Sequence, residues 1–318
     1  MAQPYLVQRQ QIALKLEGTE GTDSVPADAD VLAPAYGIEW VPSFKMYERP
    51  ALQSSFSHFP QVAGERSAVV RFSVEIKGSG SPGTAPYFGK SLQAAGFSET
   101  LVTSTSTTYA PDSSAVSSCT VEVREGDQST VFKSKKIVGA RGTVTFEATK
   151  GEIVVARFEF TGRYVEPTDT TAFTTPALGT APQAFLGAAF SMHSVNSLKI
   201  HKLTIDMKND VQLRNDVNQA TGNYSAVIVK RMPQASIDPE QEPAATMNFF
   251  NRLTANTEGS LSFVLGATPG NIATFTAPKA QIINVAEADR NGIRIENVTL
   301  QLNENTFAGE DELSIVLT

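Results

Sequence analysis

Apolar and polar residues alternate without a break along Val70-Arg71-Phe72-Ser73-Val74-Glu75-Ile76-Lys77. A side-chain period of two puts one set on each face of a β-strand. The same alternation predicts strands over Ile12-Ala13-Leu14-Lys15-Leu16-Glu17, Ala156-Arg157-Phe158-Glu159-Phe160 and Val298-Thr299-Leu300-Gln301-Leu302, with a closing strand over Leu313-Ser314-Ile315-Val316-Leu317. Within 198–207 the parity changes: Leu198 and Ile200 fall on one phase, Leu203, Ile205 and Met207 on the other. One extra residue near His201-Lys202, a β-bulge, accounts for the change. Turn residues separate the runs, as in 77–83, Thr149-Lys150-Gly151 and Asp289-Arg290-Asn291-Gly292.

Only two segments have helical spacing. Residues 86–96 begin with Pro86, place Phe88, Leu92 and Ala95 on one face, and end at Gly96. Residues 246–255 offer Thr246 as a cap, then Phe249, Phe250 and Leu253. The fold class predicted is mainly β, with one short flanking helix in each half. The halves also resemble one another. Ser67-Ala68-Val69-Val70 matches Ser225-Ala226-Val227-Ile228, and Phe88 and Leu92 match Phe249 and Leu253. Ile153 and Phe158 match Ile293 and Val298 at a constant offset of 140. The chain is therefore read as two copies of one β-rich unit, 1–166 and 184–318. The Thr-, Ala- and Pro-rich stretch 167–183 joins them.

Composition narrows the chemistry. The 318 residues carry 26 Lys and Arg against 33 Asp and Glu, a formal charge of −7. That balance argues against a surface that grips phosphates. One cysteine, Cys119, excludes an intramolecular disulfide and any CxxC site. Three scattered histidines, His58, His193 and His201, leave little for zinc or a general base. No cofactor and no metal are expected. No stretch reaches the ~20 apolar residues of a spanning helix, and the polar start lacks a signal-peptide core, so a soluble protein made in a cytoplasm, with no membrane partner, is expected.

Several local patterns resemble reactive sites. Gly83-Thr84-Ala85-Pro86-Tyr87-Phe88-Gly89-Lys90-Ser91 lies where a phosphate-binding loop would. It has five residues between its outer glycines where the motif needs four, and one is Pro86, which has no N–H to donate. Asp206, Asp210 and Asp216, and the run Glu310-Asp311-Glu312, lack calcium-loop spacing and are read as solvated surface. Lys133, Lys135 and Lys136 form a small basic cluster, read as hairpin solubility or a partner contact. Cys119, Trp40, Met46 and Tyr47 are read as packing residues. No catalytic residues are assigned, and no enzyme is expected.

These patterns occur in an order that resembles the major tail tube proteins of long flexible-tailed bacteriophages. The resemblance is carried by Leu14-Lys15-Leu16-Glu17-Gly18-Thr19-Glu20-Gly21-Thr22-Asp23, Ile38-Glu39-Trp40-Val41-Pro42 and Arg71-Phe72-Ser73-Val74-Glu75-Ile76-Lys77-Gly78-Ser79-Gly80. It continues through Leu92-Gln93-Ala94-Ala95-Gly96-Phe97, Val138-Gly139-Ala140-Arg141-Gly142-Thr143-Val144 and Phe158-Glu159-Phe160-Thr161-Gly162-Arg163-Tyr164. Gly309-Glu310-Asp311-Glu312-Leu313-Ser314-Ile315 closes it.

The resemblance implies two tandem tail-tube-type β-sandwich or barrel domains, whose strands join those of neighbouring copies around a channel. It implies a structural virion protein located in the tail and assembled in the host bacterial cytoplasm. Its partners would be copies of itself in stacked rings, with tape-measure, tail terminator and distal tail proteins. Genomic DNA would pass through the lumen without specific binding. A two-unit chain needs three copies for a pseudo-sixfold ring, and three times −7 gives −21 per ring, an acidic channel. Candidate contacts between copies are Arg71, Glu75 and Lys77, on a strand read as a protected sheet edge. Phe56, His58, Phe59 and Pro60 are further candidates, in an arm spanning 45–66; its counterpart in the second unit is the polar segment 209–224. No decoration domain is expected after the second unit. The alternative is a β-sandwich module that binds carbohydrate or a receptor, which calls for a row of exposed aromatics. A hydrolase lacks its acid–base pair. A tube of a contractile tail or secretion machine is a closer relative of the first reading.

Overall fold

A computed structural model describes residues 3–174 and 176–318. Met1 and Ala2 at the polar start, and Thr175 in the join, lie outside the described residues. The first half contains β1 (Tyr5–Leu16), a 3-10 turn at Asp28–Asp30, β2 (Ala35–Tyr47), β3 (Val62–Glu75), α1 (Gly89–Ala94), β4 (Phe97–Val102), β5 (Ser106–Pro111), β6 (Cys119–Asp127), β7 (Phe132–Thr149) and β8 (Val155–Thr170). The second contains β9 (Ser191–Met192), β10 (Lys202–Asp206), β11 (Asp210–Asn215), β12 (Asn223–Lys230), β13 (Gln234–Ile237), α2 (Phe249–Thr254), β14 (Glu258–Leu265), β15 (Ala273–Arg290), β16 (Ile293–Asn303) and β17 (Ser314–Leu317). The fold is mainly β, built on large antiparallel sheets with two short helices, and is consistent with a β-sandwich.

The alternating segments are strands because one face of each is apolar and covered. In β3, Ala68, Val70, Phe72 and Val74 are buried, while Arg71 between them is exposed. Phe72, Phe158 and Phe160 stack on adjacent strands, with ring centroids 5.4–5.9 Å apart. Across the halves, Phe146 meets Phe275 edge-on at 5.2 Å, and Phe275 stacks on Phe263 at 4.6 Å. One continuous cluster of buried side chains holds residues of both halves.

Four local expectations are corrected. The parity change in 198–207 is not a bulge: β10 begins only at Lys202, and its ladders run without a register shift. Residues 196–201 are irregular because Asp238 Oδ1 accepts the N–H groups of both His201 (2.8 Å) and Lys202 (2.7 Å). The cap of α2 is Asn248, whose side chain accepts from Asn251 N, rather than Thr246. Strand β8 continues four residues beyond 166, to Thr170, with Pro167 at a register shift where no ladder N–H is needed. Finally, Met46 and Tyr47 are half-exposed on the β2–β3 hairpin, because β2 extends past the body it leaves.

The main sheet runs β2-β3-β8-β7-β10-β13-β16-β15-β17-β5-β4, so strands of the two halves alternate twice along it. First-half β7 pairs with second-half β10, and second-half β17 with first-half β5. The separate β11–β12 hairpin folds back onto the first half. There Glu20 Oε1 accepts from Arg141 Nη1 (2.7 Å) and Ser225 Oγ (2.6 Å). Burial opposes ionisation of Glu20, but Arg141, Ser225 and Arg214 outweigh it and hold the carboxyl below its ordinary range. Gly139, with φ of +63°, has no Cβ because one would sit 3.0 Å from Ser225 Cβ and 3.3 Å from Gly21 Cα.

A pairing pattern recurs inside this sheet. β7 and β15 are both 18 residues long, and each forms a hairpin with the strand that follows. Val144 opposes Phe158 as Val285 opposes Val298, and Glu147 opposes Val155 as Ala288 opposes Ile295. Next to them, Arg71 opposes Glu159 as Ser236 opposes Thr299, and Glu39 opposes Arg71 as Thr204 opposes Ser236. Thus β2-β3-β8-β7 and β10-β13-β16-β15 are two equivalent four-strand runs laid side by side.

Candidate assembly surfaces

The apolar face of these eight strands is buried, so alternation leaves the other face polar. Its first-half part carries Glu39, Arg71, Glu159, Arg157 and Glu147, several of which line one groove with Thr143 and Asp206. Both arginines are held by carboxylates: Arg71 Nε lies 2.6 Å from Glu159 Oε2, with Glu39 Oε2 at 3.8 Å, and Arg157 Nη2 is 3.0 Å from Glu147 Oε2. In the second half the aligned positions are Thr204, Ser236 and Thr299, then Asp206, Gln234 and Gln301. The face is therefore polar, and its arginine charge is compensated.

The borders of this run are open. Among the described residues, β2 pairs only with β3. β15 is bordered by β14 on one side over 273–281 only, so the half near the turn has β16 alone as a neighbour. In β7 the corresponding border is filled, first by β6 and then by β10 over Thr145–Thr149.

The candidate contact residues fall into three places. Phe56, His58, Phe59 and Pro60 come together in an exposed loop, 48–61, at the end of the β2–β3 hairpin. Phe56 and nearby Leu52 are fully exposed, and Arg49 lies over the Phe59 ring at 5.5 Å. Arg71 sits mid-sheet on the polar face. Glu75 and Lys77 are interior, 5% and 4% exposed, and paired with each other at 3.6 Å. Tyr36 donates its hydroxyl to Glu75 Oε1 at 2.5 Å, and Lys77 Nζ donates to Leu178 O at 2.5 Å. The bond to Glu75, with burial, pushes the Tyr36 phenol up to about 12. Their strand is no sheet edge: β3 is flanked by β2 and β8, so the edge is β2.

Other sequence candidates have structural partners. Lys90 of the glycine-flanked loop is bound to Asp30 at 2.7 Å, and Phe88 is buried. Asp311 accepts from Asn305 N, Thr306 N and Thr306 Oγ1, fastening its loop. Lys135 pairs with Glu125 (2.6 Å) and Lys136 with Asp23 (3.0 Å). Cys119 is fully buried, and burial pushes its thiol up. No cluster of three or more metal-ligating side chains occurs among the described residues, and no helix is long and apolar enough to cross a membrane. Sequence reasoning missed the open border of β15; the signal was the constant offset between the halves, which places its last residues where β7 meets β10.

A mainly β chain with a continuous polar sheet face and unpaired borders has the build of a self-assembling structural protein. Comparison with known families agrees: the sequence model described as "Phage tail tube protein" matches residues 7–302, nearly the whole chain. The chain belongs to the phage tail tube protein family and is a structural component of the virion tail. No curated protein matches it significantly.

Proposed function

We propose that this chain is the major tail tube subunit of a long flexible-tailed phage, and that three copies close into a ring with pseudo-sixfold symmetry. Each copy contributes two tandem units, 1–166 and 184–318 with 167–183 as the join, and rings stack into a tube through which the genome leaves. The observation that carries this reading is the eight-strand run β2 to β15, with an open border at either end. Such ends are non-identical, so they join head to tail and close when the rotation allows. The polar face then lines the channel. Carboxylates occupy both of its arginines and a ring of three copies carries −21 formal charges, so a passing polyanion finds little to hold it. The 48–61 loops reach the next ring, and tape-measure, terminator and distal tail proteins set the length and ends. Assembly takes place in the host cytoplasm.

Negative-stain microscopy of the purified protein, with its mass in solution, tests this. Rings or tubes built from units of three times 34.1 kDa are expected. A protein that stays monomeric at high concentration overturns the reading.

A further inference from the structure

The junction that holds the two halves of one chain together is also a pattern for a junction between chains. At the internal one, Thr204 opposes Glu147, Ile205 opposes Phe146, and Asp206 opposes Thr145. Strand equivalence carries these positions across. Glu39, Trp40 and Val41 of β2 stand where Thr204, Ile205 and Asp206 stand in β10. Ala288, Glu287 and Ala286 of β15 stand where Glu147, Phe146 and Thr145 stand in β7. Both sets lie on open borders.

We propose that one copy's β2 pairs antiparallel with β15 of a second copy in this register: Glu39 opposite Ala288, Trp40 opposite Glu287 and Val41 opposite Ala286. The inference rests on the ring reading above and specifies its seam. Side chains at the borders fit it. Trp40 Nε1 is buried without a hydrogen-bond partner, and Lys135 lies 5.3 Å from the indole ring. On β15, Glu287 directly opposes Glu296. Like charges in that position repel, and burial, with Glu287 beside it, pushes the Glu296 carboxyl up. The seam brings the Lys135 ammonium, which Glu125 holds at 2.6 Å within its own copy, and the Trp40 indole ring toward Glu287 of the next copy, whose own-chain cation Arg294 stands at 3.6 Å. Where the internal junction sets Phe146 opposite Ile205, both buried, the seam between copies sets Trp40 opposite a carboxylate. Separate chains can therefore stay soluble until they meet.

Disulfide trapping in the full chain tests the register, since the native Cys119 is buried. The double variant Glu39→Cys/Ala288→Cys places thiols on directly opposed positions. In Glu39→Cys/Ala286→Cys the pair is slipped by two residues, ~7–8 Å apart and beyond disulfide reach. Under mild oxidation the first should give covalent trimers in about tenfold higher yield than the second. As an independent check, Glu287→Lys should weaken assembly, and Glu287→Lys/Lys135→Met should restore it, because Glu125, freed of Lys135, then faces the new cation. Rings that cross-link equally in both variants, or only in the slipped one, overturn the register and leave the ring reading standing. If microscopy of the unmodified protein finds no rings, both fall together.

Discussion

Lys77 and Glu75 belong to an alternating run, yet both side chains are inside. Removing one partner of a buried ion pair leaves an uncompensated charge and costs ~3–5 kcal/mol. Lys77→Met should therefore lower stability by about that amount in denaturant titration. Arg71→Ala, which breaks pairs that are half exposed on the polar face, should cost under about 1 kcal/mol. His193 is a third residue-scale case. Its Nδ1 accepts from Arg252 Nη1 at 3.0 Å and its Nε2 donates to Ala280 O at 2.8 Å, which defines a neutral ring. Burial, aided by the Arg252 charge, holds its pKa below the ordinary 6.5. As pH falls below that value the unfolded chain takes up the proton first. Stability should thus decline from about pH 7 downward and level off below the depressed value; melting temperatures across that range, set beside His193→Asn, would show it. An unchanged pH response in the variant would remove His193 from the explanation. Gly259 packs on the same ring, where a Cβ would come within 2.6 Å of His193 Cγ. Gly259→Ala should cost roughly 1–3 kcal/mol by overpacking.

At the scale of elements, the β2–β3 hairpin is the part whose length the body does not require. Beyond Trp40 every residue of β2 is exposed, and loop 48–61 touches solvent throughout. Replacing 50–60 by a short Gly-Ser turn should leave the melting temperature within a few degrees. Ring stacking should be lost while single rings persist in micrographs. Tubes of ordinary length from the shortened chain would exclude the arm from ring-to-ring contact. The elements themselves were largely legible. Strict alternation located β1, β3, β8, β16 and β17, and the Asn291-Gly292 pair located the β15–β16 turn. Their neighbours were not legible. β3 has the Lys, Glu and Ser content of a guarded edge, but its borders are both filled, because pairing is set by strands far away in sequence.

For the whole molecule, the two halves share a sheet and a core. β7–β10 and β5–β17 cross between them, and Phe146 packs on Phe275. Heating should therefore give one cooperative transition in calorimetry rather than two. The segment 184–318 expressed alone should lack a stable fold, since β10 and β17 lose their first-half partners. A well-folded isolated second half would contradict this. The join is a strap more than a free linker: Phe173 is buried with Ala13 and Val31, and Arg124 lies 3.4 Å above its ring.

Sequence alone determined most of the apolar strand faces and where the chain turns, and it showed a constant offset of 140 between the 153–160 and 293–300 segments. It could do so because side-chain period and turn chemistry are local properties of the chain. Tertiary structure decided which strands are edges, that Glu75 and Lys77 are interior, and that Trp40 and Glu287 stand on open borders. Those are consequences of ladder hydrogen bonds between distant residues, from Glu39 with Arg71 and Val70 with Phe160 to Tyr109 with Ile315, and local sequence pattern does not encode which strand will fill a border.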